Sequence, residues 1–131
     1  MLRLRSILSN NLARGSEVAG DVNAVEEGTH RTPLHYAAEN ANLEMCIVLL
    51  QRFADLNAQD VKGDSPLLLV SRAYQVGSVP ADKALTFVRM VIKEGANPHI
   101  QNLAGESAYS ISLRSPKLLA VIALSISSYL S

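Results

Sequence analysis

Three histidines, one cysteine and a scatter of serines are the residues of this 131-residue chain that could do chemistry. His30, His35 and His99 could act as bases or metal ligands, and Cys46 could act as a nucleophile. Each chemistry needs company that the sequence does not supply. A metal centre needs further ligands at the right spacing, and no carboxylate or cysteine sits so beside His30 or His99. A reactive thiol needs a basic, partly exposed setting. Cys46 instead falls among Leu43, Leu49 and Leu50 at helical spacing, where cysteine serves as a small hydrophobe. Gly63, Gly95 and Gly105 are single turn glycines, so no phosphate loop is present. Ser6, Ser9 and the SISS run near the end offer hydroxyls without a neighbouring base. With no nucleophile–base constellation, the sequence predicts no enzyme, no cofactor and no metal site.

His35 lies in RTPLHYAAENANLEMCIVLL, residues 31–50, and the pattern around it is structural. Thr32 is suited to cap a helix, and Pro33 to open it, since the N–H that proline lacks would be unpaired there anyway. Ala37 and Ala38 are small enough for a neighbouring helix to come close. Leu43, Cys46, Leu49 and Leu50 form one apolar stripe. Gly95 stands where a later helix needs a left-handed residue to end it. The unit is therefore a turn, a short helix, a loop and a longer helix.

The unit recurs. GDVNAVEEGTHRTPLHYAA, ADLNAQDVKGDSPLLLVSR and ANPHIQNLAGESAYSISLR share one plan: a small residue, Asp or Asn, a polar span with Gly, then Ser or Thr before an apolar run. Thr32 and Ser65 are 33 residues apart, and Ser65 and Ser107 are 42 apart. The nine extra residues fall within AYQVGSVPADKAL, whose Gly77, Ser78 and Pro80 predict a lengthened connection. The second-helix pattern recurs too, NLEMCIVLLQRFADLN against ALTFVRMVIKEGANPH.

The period and the T-P-L-H-x-A motif resemble the ankyrin-repeat family. Thr32, Pro33, Leu34, His35, Ala37 and Ala38 match it fully, Ser65, Pro66 and Leu67 in part, and Ser107, Ala108 and Tyr109 weakly. The resemblance covers about residues 17–126. It implies an all-α solenoid of stacked helix-turn-helix units with short β-turn or hairpin fingers, about three to four repeats long. One domain is expected over 1–131: a capping or targeting segment at 1–20, a repeat at 21–54, a repeat with the insertion near 73–84 at 55–96, and a capping repeat at 97–131. In such a repeat His35 bonds within the tetrapeptide and to neighbouring turns.

Three departures from the family pattern stand out. Phe53 occupies the place of Gly95, so either that helix ends differently or buried area offsets the strain. Ile47 and Ile122 stand where the middle repeat has Arg89, which predicts two exposed isoleucines on the convex side. The last unit has Pro116 and Lys117 in place of Gly-His, and Leu113 in place of a small residue.

Composition narrows the partners. Twelve basic and twelve acidic residues balance, which gives no electrostatic case for nucleic acid or an anionic membrane. Thirteen residues at 118–130, four of them polar, fall short of the ~20 that a membrane span needs. The N-terminal MLRLRSILSNNLARGS carries Arg3, Arg5 and Arg14 with no acid before Glu17; it reads either as an amphipathic capping helix or as a cleavable mitochondrial address. A single cysteine excludes an internal disulfide framework and fits an intracellular, cytoplasmic setting.

The resemblance then implies a protein partner held by turn tips and first helices. Mapped onto this chain, those contacts are Glu26, Glu27, Arg31, Glu39, Asn40, Val61, Lys62, Asp64, Arg72, Leu103, Ala104, Glu106 and Arg114. Acid gathers at Glu26, Glu27 and Glu39 and base at Lys62, Arg72 and Arg114, so a partner with the reverse gradient is expected. The apolar C-terminal helix or the convex face would serve a homodimer. An alternative assignment is the regulatory segment of a larger enzyme or transporter.

Overall fold

The computed structural model describes residues 21–130, and side chains through 127. The expected capping or targeting segment therefore lies outside the described residues. Six helices are present among them: α1 (Pro33–Glu39), α2 (Leu43–Gln51), α3 (Pro66–Val76), α4 (Ala81–Lys93), α5 (Ala108–Ser112) and α6 (Pro116–Leu130). No strand occurs there, and the fingers between helix pairs are turns.

The helices form two layers. The first helices stack as α1, α3 and α5, and the second helices as α2, α4 and α6. Each first helix starts as its residues require. Thr32, Ser65 and Ser107 are extended caps at φ −93°, −89° and −132°. Ser65 Oγ accepts from the Leu68 N–H at 3.2 Å, and Ser107 Oγ from the Ser110 N–H at 3.0 Å. Ala37, Ala38, Val70 and Ser71 are buried where α1 and α3 meet. The core between the layers holds Leu34, Leu49, Leu67, Phe87, Val88 and Leu118. By the ~25 cal/mol per Å² of apolar burial, side chains of this size contribute about 1.5–3 kcal/mol each. A lone repeat has no second face to bury, so stability lies in the stack.

The nine extra residues do not form a long connection. They continue the helices: α3 has 11 residues against 7 in α1, and α4 has 13 against 9 in α2. Only the stretch from Gly77 to Pro80 is loop, with Gly77 left-handed at φ 76°. AYQV and ADKAL are good helix formers on either side of that glycine and proline, which explains the outcome. The middle repeat is therefore about one turn taller than the first.

The convex isoleucines also divide. Ile47 is exposed, but Ile122 is fully buried. The connection before α6 is one residue longer in effect, because Leu118, Ile122 and Ser125 take the core positions of Ala84, Val88 and Val91. Ala123 is thus the exposed counterpart of Arg89. Leu113 and Leu124 remain exposed at this end of the solenoid.

Helix α2 does end like α4. At α2 the Phe53 N–H donates to Leu50 O at 3.1 Å and the Ala54 N–H to Leu49 O at 3.0 Å. At α4 the Gly95 N–H donates to Ile92 O at 3.0 Å and the Ala96 N–H to Val91 O at 2.9 Å. These are the paired bonds of a left-handed C-terminal cap. Phe53 adopts φ 60°, which costs a bulky residue about 1–2 kcal/mol. Burial does not offset it, since Phe53 is 88% exposed.

Candidate interaction surface

The fingers and first helices bring part of the expected contact set together. The second finger is closed by the Asp60 N–H donating to Asp64 O at 3.0 Å, and the third by the Asn102 N–H donating to Glu106 O at 2.8 Å. Side chains shape both turns. Asp60 Oδ1 accepts from the backbone of Lys62 and Asp64, each at 2.9 Å. Asn102 Oδ1 accepts from Ala104 and Glu106, also each at 2.9 Å. Neighbouring fingers are tied edge to edge, the Val61 N–H to Thr29 O at 2.9 Å and the Leu103 N–H to Lys62 O at 3.0 Å.

Between the second and third fingers lies an open cleft of about 530 Å³. Val61, Lys62, Asp64, Arg72, Leu103, Ala104 and Glu106 line it together with Asn102. Seven of the sequence-predicted contacts thus share one site. Asn102 was missed, although its place matches Asp60 forty-two residues earlier.

Their roles differ. Leu103 is 83% exposed and Val61 60% exposed, so the cleft has two projecting apolar tips. Lys62 is exposed and makes no side-chain ion pair among the described residues. Asp64 is only 2% exposed and faces inward. Arg72 reaches it at 3.3 Å and reaches Glu106 at 3.2 Å. Asn102 Nδ2 donates to Asp64 Oδ1 at 2.8 Å and to Glu106 Oε1 at 3.2 Å.

The remaining predicted residues sit outside the cleft. Arg31 pairs with Glu39 at 3.0 Å and Asp60 at 3.3 Å and lies over the Tyr36 ring. Burial opposes its charge, yet the Glu39 and Asp60 carboxylates outweigh that and raise its pKa. Glu26 accepts from Thr29 Oγ1 at 2.8 Å and from the Tyr36 hydroxyl. Asn40 caps the end of α1 and donates to Tyr36 O at 2.9 Å. Glu27 and Arg114 are exposed. Arg72, the central base of the expected gradient, is thus neutralised by two acids.

The titratable groups that could do chemistry are elsewhere engaged. His35 is fully buried. Its Nδ1 accepts from the Thr32 N–H at 3.0 Å, so Nε2 carries the proton and donates to Asp64 O at 2.8 Å. Burial lowers its pKa, against the smaller opposing effects of the Asp64 carbonyl and the Asp60 charge. Burial pushes the Cys46 thiol up to about 12. Among the described residues no cluster of His, Cys, Asp or Glu could hold a metal ion. No helix there is long and apolar enough to cross a membrane.

Residues 29–61 match the family model described as "Ankyrin repeat". The chain is 38% identical over 69 residues to an ankyrin repeat protein of Rickettsia bellii, covering 53% of this chain and 39% of that protein. It is 32% identical over 94 residues to the NF-kappa-B inhibitor zeta of Bos taurus, covering 69% of this chain and 12% of that protein. Among solved structures, the ankyrin repeat domain of Bcl-3, a member of the IkappaB family, superposes with a TM-score of 0.67 at 30% identity. That match covers 88% of this chain and 44% of that one, so the chain spans less than half of each relative.

Proposed function

We propose, from the premise that the chain is an ankyrin-repeat protein, that it is a non-catalytic intracellular module that binds a protein partner through its concave face and turn tips. Ankyrin repeats are protein-interaction modules, and this chain's relatives include a protein named as an inhibitor of NF-kappa-B. The cleft between the second and third fingers carries the reading. Its floor is fixed by the bonds among Arg72, Asp64, Asn102 and Glu106, so little side-chain entropy is lost there on binding. Val61 and Leu103 supply apolar contact, and Lys62 supplies a charge that attracts an acidic group of the partner. Glu26, Glu27, Arg31, Glu39, Asn40 and Arg114 extend the surface to either side.

The test is affinity capture with the wild-type chain and with the Val61→Asp/Leu103→Asp double variant, both checked for unchanged helicity. The variant is expected to retain its partner at least about tenfold less well. Undiminished capture by a folded variant overturns the assignment. Because the chain spans 12% of the NF-kappa-B inhibitor zeta, the same surface also suits a regulatory segment of a larger enzyme or transporter. The length of the native open reading frame separates the two.

A further inference from the structure

The three fingertips differ in character. The first carries Glu27, exposed and without an ion pair among the described residues, next to Glu26. Arg31, the base in that finger, is held by Glu39 and Asp60. The second carries Lys62, whose charge is likewise unmatched among the described residues. The third carries exposed Leu103 and Ala104 and no charge at its tip. Behind the second and third tips, Asp64 and Glu106 share Arg72 and Asn102. Two acids there face one base, so a partner's carboxylate is attracted to Lys62 and repelled further in. The row therefore calls for a base, an acid and an apolar group, in that order.

Spacing selects the conformation that can supply them. Helices in contact lie about 8–10 Å apart, and the stacked α1, α3 and α5 advance the fingers by that step. The bonds from Val61 to Thr29 and from Leu103 to Lys62 keep the tips in the same step. A β-extended segment turns alternate side chains away, and those on one side recur about every 6.8 Å, out of phase with the fingers. A polyproline II segment has about three residues per turn and rises about 3.1 Å for each, so one face recurs about every 9.3 Å. We propose that the partner's contact segment is a polyproline II helix lying across the fingertips. A basic residue at position i meets Glu27, an acidic residue at i+3 meets Lys62, and a large apolar residue at i+6 meets Leu103 and the cleft it lines with Val61. The inference rests on the reading of this surface as a partner site, and adds the order, spacing and backbone of what it binds. A preformed polyproline II backbone also keeps the entropy lost on binding small.

Fluorescence anisotropy of the full chain with a labelled peptide, Pro-Pro-Arg-Pro-Pro-Asp-Pro-Pro-Leu-Pro-Pro, and with its reversed sequence tests the proposal. Both are used because the tips set the order of side chains and not the chain direction. One of the two is expected to bind saturably, with a dissociation constant below about 1 mM. Exchanging Arg and Asp in that peptide is expected to weaken binding at least about tenfold, as is replacing its prolines by glycine. Lys62→Glu is expected to weaken the original peptide and to favour one with Lys at the acidic position. Lys83→Glu, at the start of α4 and a helix length from the fingers, is expected to change neither. Absence of saturable binding by both peptides overturns the proposal. So does equal binding of the charge-exchanged or the glycine peptide, or a folded Lys62→Glu chain that binds the original peptide undiminished. If neither peptide binds while Val61→Asp/Leu103→Asp still releases a captured partner, the proposed surface stands and this inference alone fails.

Discussion

His35 illustrates how a single residue joins one repeat to the next. Both ring nitrogens are used, one for its own helix cap and one for the Asp64 carbonyl of the following finger. A second proton would set an N–H on Nδ1 against the Thr32 N–H. With its folded pKa lowered, the unfolded chain takes up this proton first. Stability is therefore full above the unfolded pKa of about 6.5 and falls as pH drops toward the folded value, by up to ~1.4 kcal/mol per pH unit in that window. Urea denaturation at pH 7.5 and pH 5 is expected to show this loss. His35→Leu should remove most of the dependence, because it copies Leu68, which is fully buried at the same place in the next repeat. An equal pH response in the variant would assign the dependence to other groups. At this scale much was legible in the sequence, including the structural role of His35 and the buried setting of Cys46. The ion pairs were not read, though their pattern is there: Arg31 and Glu39 stand eight residues apart, as do Asp64 and Arg72 with the signs reversed.

At the scale of elements, the fingers show where backbone alone decides. Gly63 has φ 80°, and a Cβ there would lie 2.9 Å from the Leu103 N and 3.0 Å from the Asn102 Cα. Gly105 also has φ 80°, but a Cβ there meets nothing within 4 Å. Gly105→Ala is therefore expected to cost only the left-handed strain, about 1 kcal/mol, while Gly63→Ala costs more by forcing two fingers apart. Thermal or urea unfolding of both variants gives the difference, and equal losses would show that the fingers do not depend on their contact. The turns and first helices were readable because Pro33, Pro66 and the glycines mark them locally. The taller middle repeat was not, because Gly77 and Pro80 mark a loop without saying how far the flanking helices run. Ile122 was misplaced for a related reason. Counting by 33 assumes equal connections, and the link before α6 shifts its buried face by one residue.

In the whole molecule, stability depends on coupling between repeats, and Arg72 is one of its joints. It bridges Asp64 of its own repeat and Glu106 of the next. Removing it would leave the nearly buried Asp64 carboxylate with Asn102 as its side-chain donor. Arg72 is 38% exposed on its side chain, so solvent screens part of the interaction. Arg72→Ala is expected to cost on the order of 1–3 kcal/mol and to broaden the unfolding transition as the third repeat loosens first. Hydrogen exchange of α5 and α6 amides would show it, and uniform acceleration along the chain would argue against a joint at this position. The stacking of layers was legible from the period alone. The cleft proposed for a partner could be named residue by residue but not seen as a place, since only the folded fingers bring Val61 and Leu103 to line one cleft.

The backbone bonds between fingers also run one way. Val61 gives its N–H to the finger before it, and Leu103 does the same. By that rule a fourth finger would address the carbonyl of Ala104. The row of fingers is thus polar in the sense that a filament is, with a donating end and an accepting end that differ chemically. A grafted repeat would add to the accepting end in a single phase, set by backbone rather than by side chains.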